Sequence, residues 1–458
     1  MTTHHLTTAA PAAADTLGAH IRRTLGLALP VMVARAGILV LVAVDTAMTG
    51  RAGAVELAYY GLAMATQMPM LLVAIGLLMG TVVLTAQAEG AGVPAECGGV
   101  WRVALAHAAV FGVVFMAASQ AGEWFLGFTG QAPDLARGGG RTLVMFGWSL
   151  PAMFLYVATS FFLEGINRPL PGMVVMLIAN LLNAGLNWVF IFGNLGAPAM
   201  GAEGAALGTT LVRWFMFIAL AGYALARVDH RHYGIRGAIA DARGVGRRLR
   251  RIGYPMGLSH GMESSAFAAM TLFAGLIGVV EVAGYQVAMN LVALAFMCAI
   301  GFSTAASVRV GNAVGRRDHP GVRSAGWVAA GLASLVMATF ATAYFLIPDL
   351  LTAVYTGEAA VAAVAIPTIA VAAFALVPDG VQGVLMGALR GAGDVWPATA
   401  LYFVSFWLVM VPLGYVLGVG LEGGAPALMT AVVVGSIVAV VSLAARFHAV
   451  SARAVARA

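Results

Sequence analysis

Three acids stand where acids are rare. Asp45, Glu263 and Asp379 fall inside long apolar stretches of the chain. On insertion scales an ionised side chain at a bilayer centre costs about 2.5–3.5 kcal/mol, so such a residue pairs, binds a cation or carries a proton. Three uncompensated carboxylates would cost roughly 8–10 kcal/mol, comparable to the stability of a whole domain. Arg35 precedes Asp45 by about 15 Å along a helix, too far for direct pairing. Glu263 sits near the middle of its stretch. Asp379 follows Pro378, and a proline removes a helix hydrogen bond and opens the backbone locally. A buried carboxyl kept neutral by desolvation is itself a proton site.

Uncharged polar residues accompany the acids. Asn180, Asn183 and Asn187 form a stripe, and the last two, four residues apart, share a helix face. Such amides serve either as ligands or as hydrogen-bonding glue between helices. Thr209 offers an oxygen ligand or bonds back to its own helix. Gln286 and Asn290 make a second pair at the same spacing. His260, one turn before Glu263, reads as a satisfied histidine at a helix interface. The 23 methionines read mainly as packing, with a soft lining for varied ligands as a secondary use. No catalytic constellation is expected. The chain holds no lysine at all, so it has no phosphate-loop lysine and no ATP chemistry of its own. Cys97 and Cys298 make neither a disulfide framework nor a metal motif, and His4-His5 is too short to be a metal site. No enzyme activity and no cofactor are expected.

The elements that must position these residues follow from composition. Of 458 residues, 61% are hydrophobic and only 10% charged, against about 25% charged in a soluble domain. Mean hydropathy is +0.92. A soluble enzyme, a disordered chain and a secreted disulfide scaffold are excluded. The sequence reads as an all-α membrane protein, with twelve stretches long enough to span a bilayer: roughly 25–49, 57–85, 103–128, 142–163, 171–195, 203–225, 253–278, 282–306, 322–347, 362–388, 397–418 and 422–446. The remaining sixteen acids are assigned to loops, span ends and tails. Residues 1–20 lack the apolar region of a signal peptide.

Arginine orients the spans. Twenty of the 25 basic residues fall on the side of the two termini. They are Arg22, Arg23, Arg102, Arg168, Arg390, Arg446, Arg453 and Arg457, the eight arginines of the loop 226–252, and Arg309, Arg316, Arg317 and Arg323 in the loop after the eighth span. Arg51, Arg137 and Arg141 lie opposite, while Arg35 and Arg213 fall within spans. That asymmetry places both termini in the cytoplasm. It also explains the net charge of +6 without nucleic acid. The expected organisation is an amino-terminal tail (1–24), a first lobe of six helices (25–225), an Arg-rich cytoplasmic linker (226–252), a second lobe (253–446) and a cytoplasmic tail (447–458).

The halves repeat. At a shift of 225, Pro30 meets Pro255, Glu56 meets Glu281, Tyr60 meets Tyr285, Ala63-Met64 meets Ala288-Met289, and Gly90 meets Gly315. Six is an even number of spans, so both halves enter the membrane in one orientation and are related by a pseudo-two-fold along its normal. Two such lobes enclose a cleft and exchange access by rocking, the plan of a secondary transporter.

The chain resembles the multidrug and toxic compound extrusion (MATE) family, in its NorM-like bacterial branch, from about Leu25 to the last span. The resemblance rests on Leu27-Ala28-Leu29-Pro30, Val44-Asp45-Thr46-Ala47-Met48-Thr49-Gly50, Phe162-Leu163-Glu164-Gly165 with Arg168-Pro169, and Asn183, Asn187 and Phe190-Ile191-Phe192-Gly193. In the second half it rests on Gln286-Val287-Ala288-Met289-Asn290, Val308-Arg309-Val310-Gly311-Asn312 and Leu389-Arg390-Gly391. Ala47, Thr49 and Tyr285 depart from the family pattern. The resemblance implies a twelve-helix exporter that ejects organic, often cationic, compounds in exchange for H⁺ or Na⁺. It assigns cation coupling to Asp45, Asn183, Asn187, Thr209, Glu263 and Asp379, and substrate binding to Asp45, Glu263, Gln286, Asn290 and Asp379. It implies no metal beyond Na⁺ at the coupling residues.

The expected function is therefore a multidrug antiporter of the bacterial inner membrane, working as a monomer on small organic cations, with no nucleic acid partner. The alternative is a lipid-linked oligosaccharide flippase of related architecture. Such flippases hold a pyrophosphate with basic residues, whereas acids outnumber arginines inside these spans.

Overall fold

The computed structural model describes residues 16–239 and 241–453. Most of the expected amino-terminal tail, with His4 and His5, lies outside the described residues, as does Arg457. Among the described residues there are helices and no strand. Ten helices are long and apolar enough to cross a membrane: α1 (Leu17–Ala52), α2 (Ala54–Gly90), α3 (Ala95–Ser119), α5 (Leu170–Phe190), α6 (Gly201–Arg227), α8 (Val279–Gly315), α9 (His319–Leu346), α10 (Ala359–Gly391), α11 (Val395–Gly420) and α12 (Gly424–Ser451). The segments Pro133–Gly147 and Leu150–Gly165, bent by 43°, make α4. Helix α7 (Ala242–Ile277) completes the twelve. It is as long as its neighbours but is made polar by arginines at its start and by Ser259, His260 and Glu263. Leu181, Leu272 and Leu335 lie exposed in mid-helix, as a lipid-facing surface requires.

Local chemistry sets the boundaries. The side chains of Asp241 and Asp318 accept from Gly244 N at 2.7 Å and Gly321 N at 2.9 Å, capping α7 and α9, as side-chain oxygens do at helix starts. Gly53 separates α1 from α2 at φ +145°, and its repeat mate Gly278 separates α7 from α8. Several expected boundaries move. Residues 242–252, assigned to the linker, are the first turns of α7. Arg137 and Arg141, assigned to a loop, lie on the first segment of α4. The stretch 103–128 divides into α3 and a short helix, Gly122–Phe128. Arg309, assigned to a loop, is buried inside α8, which continues to Gly315. Its neighbours Ala305, Ala306, Val308 and Val310 are apolar and buried, so the helix needs no break there.

Helices α1–α6 form one lobe and α7–α12 the other. The lobes meet closely through glycine: a Cβ on Gly76 of α2 would stand 2.7 Å from the backbone of Gly257 on α7, and one on Gly253 of α7 or Gly90 of α2 would strike the other lobe's backbone at Leu77 and Asn312. The side-chain hydrogen bonds between lobes gather at the end that bears the termini. Gln87 Nε2 donates to Gly391 O at 3.0 Å, Arg309 donates to Thr24 Oγ1 at 2.5 Å and contacts His20, and Arg250 Nη1 lies 3.0 Å from His107 Nε2. Arg390 Nη1 lies 2.8 Å from Met79 Sδ. The lobes are thus joined at this end.

Candidate functional site

Asp45 sits on α1 with its carboxylate turned into its own lobe, and is 1% exposed. Three donors converge on it. Asn183 Nδ2 and Asn187 Nδ2 of α5 donate to Oδ1 at 2.5 and 2.6 Å. Thr209 Oγ1 of α6 donates to Oδ2 at 2.8 Å. All three partners are buried. Helix spacing is the cause: the two amides stand one turn apart on the face of α5 that meets α1. The third amide of the stripe takes no part, because Asn180 Nδ2 donates to Met176 O of its own helix at 2.9 Å. Hydrogen bonds to an ionised carboxylate are each worth about 1.5–3 kcal/mol, so the three offset part of the cost of its burial. Asn187 Oδ1 is buried without a hydrogen-bond partner. With the Asp45, Asn183 and Thr209 oxygens it gives the cluster a hard-oxygen donor set of the kind that suits a small hard cation.

The second site is built differently. Asp379 on α10 is 4% exposed. Its Oδ1 accepts from Gln382 Nε2 at 3.2 Å and Ser436 Oγ of α12 at 3.5 Å. Glu263 on α7 is less buried and lies with Oε2 3.7 Å from His260 Nδ1. Asp379 and Glu263 lie close enough to act on one another electrostatically, and buried Tyr402 lies close to both. Gln286 and Asn290 are exposed on α8, where Asn290 donates to Gln286 O at 2.8 Å. The structure thus gathers Asp45, Asn183, Asn187 and Thr209 into one cluster and sets Glu263 and Asp379 together in the other lobe. Gln286 and Asn290 join neither set of hydrogen bonds.

Sequence reasoning missed several participants. Gln382, one turn past Asp379 in an apolar helix, carried a signal of the same kind as Asn183 and Asn187. Ser436 carried none. Glu164 was assigned to a span end; it is 4% exposed, because α4 continues to Gly165. Glu164 Oε1 lies 3.4 Å from Arg35 Nη2 and accepts from Ser160 Oγ at 2.8 Å. Buried Arg213, one turn past Thr209, donates to Ser149 Oγ at 2.6 Å and stands over the Phe146 ring at 6.0 Å.

Known proteins resemble this chain in sequence and fold. The MatE family matches residues 30–189 and 255–416, two segments that begin at the repeat-related Pro30 and Pro255. A protein of Caulobacter vibrioides called "Probable multidrug resistance protein NorM" is 36% identical over 425 residues, 93% of this chain and 90% of that protein. One of Aliivibrio fischeri, "Multidrug resistance protein NorM", is 31% identical over 404 residues, 87% of each. Among solved structures, an outward-facing multidrug resistance MATE family transporter superposes with a TM-score of 0.86 at 19% identity, covering 95% of this chain and 97% of that one. A eukaryotic MATE transporter, AtDTX14, superposes at 0.85 with 17% identity, covering 96% and 99%.

Proposed function

The chain belongs to the MatE family, and from that premise we propose that it is a secondary active antiporter that exports organic cations in exchange for H⁺ or Na⁺. The observation that carries this reading is the buried carboxylate of Asp45 with its three donors, joined by the second acid pair of Glu263 and Asp379. The coupling residues are Asp45, Asn183, Asn187, Thr209, Glu263 and Asp379. Gln286 and Asn290, exposed on α8, are the polar contacts for substrate beside Asp45, Glu263 and Asp379.

The mechanism is competition for carboxylates. An organic cation held by an acid loses its counter-charge when that acid takes a proton or Na⁺, and leaves. Rocking of the lobes then opens the end that is now joined. One charge moving through 100 mV supplies about 2.3 kcal/mol, and one pH unit about 1.4 kcal/mol. Together they support roughly a 500-fold gradient per ion in an electrogenic cycle.

Orientation follows the arginines: both termini and the loop before α7 face the cytoplasm. The NorM-named relatives are bacterial, in keeping with the inner membrane, and a single chain supplies both lobes, so a monomer suffices. A pyrophosphate-holding flippase would need buried basic groups at liberty. Arg35 is engaged by Glu164 and Arg213 by Ser149, which weighs against that alternative. Ethidium efflux from vesicles carrying Asp45→Asn, Glu263→Gln or Asp379→Asn tests the proposal. Loss of ion-driven efflux in at least one of the three is expected, and normal transport by all three would remove the coupling assignment.

A further inference from the structure

Glu56 and Glu281 are aligned by the internal repeat, and ion coupling does not use them. Glu56 lies at the start of α2, and its Oε2 accepts from Ala202 N at 2.7 Å. Glu281 lies at the start of α8, and its Oε2 accepts from Ala425 N at 2.7 Å. Each recipient is the second residue of the last helix of its lobe, since α6 begins at Gly201 and α12 at Gly424. Both first residues are glycines in the left-handed region, at φ +53° and +68°. A Cβ on Gly201 would strike the Glu56 carboxylate, and one on Gly424 would stand 3.0 Å from Glu281 Oε2. The same contact is therefore built twice in one chain.

A carboxylate is at home beside the unpartnered N–H groups and positive dipole end of a helix. An ordinary cap, however, comes from the residue next to the helix. These two come from another helix, 146 and 144 residues away in the chain, so each ties two helices together. Thr209 lies seven residues past Ala202, and Ser436 eleven past Ala425. At about 3.6 residues per turn these are close to two and three whole turns, so anchor and ligand lie on one face of the helix. Thr209 bonds Asp45 and Ser436 bonds Asp379.

We propose that Glu56 and Glu281 are positioning residues: each anchors the sixth helix of its lobe to the second, and so sets the reach of Thr209 to Asp45 and of Ser436 to Asp379. The proposal rests on the coupling role given above to Asp45 and Asp379.

The test is the half-saturating concentration of the driving cation in proteoliposomes, at fixed pH for Na⁺ and without Na⁺ for H⁺. Glu56→Ala and Glu281→Ala should each raise it roughly three- to tenfold, as the loss of one hydrogen bond would. Glu56→Gln and Glu281→Gln keep an acceptor oxygen and should stay near the native value. Ala202→Pro removes the N–H itself in the first turn of α6, where that N–H has no partner in its own helix; it should show the shift predicted for Glu56→Ala and stands in for it if Glu56→Ala fails to fold. Native half-saturation in the alanine and proline variants, or equal shifts in the alanine and glutamine variants, would overturn the proposal. Asp45→Asn and Asp379→Asn in the same vesicles judge the coupling role separately. If neither alters the ion dependence, that role falls. Amide hydrogen exchange across 202–209 then decides on the anchor alone: faster exchange in Glu56→Ala than in Glu56→Gln supports it, and equal exchange overturns it.

Discussion

Arg35 and Glu164 form a buried ion pair that links the middle of α1 to the end of α4 at 3.4 Å. The Arg35 guanidinium also lies 5.5 Å from the centre of the Phe161 ring. Removing one partner of such a pair leaves an uncompensated charge, at a cost of about 3–5 kcal/mol, whereas replacing both can be neutral. Glu164→Ala should therefore lower the unfolding temperature of detergent-solubilised protein markedly, and Arg35→Met with Glu164→Ala should restore most of it. A double variant as unstable as the sum of the singles would show that the pair does not act as a unit.

The two amides on Asp45 are predicted to differ from the third. Asn187→Ala withdraws a hydrogen bond to a charged acceptor, worth about 1.5–3 kcal/mol. At 1.4 kcal/mol per tenfold it should shift the half-saturating coupling-ion concentration by roughly 10- to 100-fold. Asn180→Ala removes only a bond to Met176 O of its own helix and should leave that constant unchanged. Equal effects of the two substitutions would refute the assignment of Asn187.

How much of this could be read in the sequence depends on contrast. Asp45, Asn183, Asn187 and Thr209 were legible because a polar residue in an apolar span has no local excuse, and helical spacing says which amides share a face. Helix α7 is more polar than the other spans, yet the stretch 253–278 was legible among the twelve, and Pro255 meets Pro30 in the repeat. Glu164 was missed for the opposite reason: charge near a span end looks ordinary, and only the packing of Arg35 against it reveals burial. Ser436 and Ser149 are small, common residues whose partners come from other helices, so nothing local marks them.

Topology predicts a one-sided protease pattern. The connection between α6 and α7 carries Arg231 and Arg236 in turns exposed to solvent. Trypsin should cut it in inside-out vesicles and spare it in right-side-out cells. Cutting from the outside would invert the proposed orientation.

The same connection should loosen in acid. Backbone N–H groups of His232 and Arg231 donate to Asp229 and hold its carboxyl below its ordinary 3.8. A depressed acid stabilises the turn above its unfolded value, and this contribution is lost as pH falls through the folded one. Hydrogen exchange at residues 229–232 should therefore be insensitive to pH-induced opening near neutrality. Opening should appear only below the ordinary carboxylate range, and Asp229→Asn should abolish that acid-dependent step. An unchanged step in the variant would assign it to another group.

The central claim is that carboxylates inside the lobes exchange an organic cation for H⁺ or Na⁺. The most direct measurement is ethidium transport in proteoliposomes driven only by an imposed pH or Na⁺ gradient, comparing native protein with Asp45→Asn, Glu263→Gln and Asp379→Asn. The account predicts gradient-driven transport by the native protein and its loss or uncoupling in at least one acid variant. Native rates in all three variants, or no gradient-driven transport of any organic cation by the native protein, would contradict it.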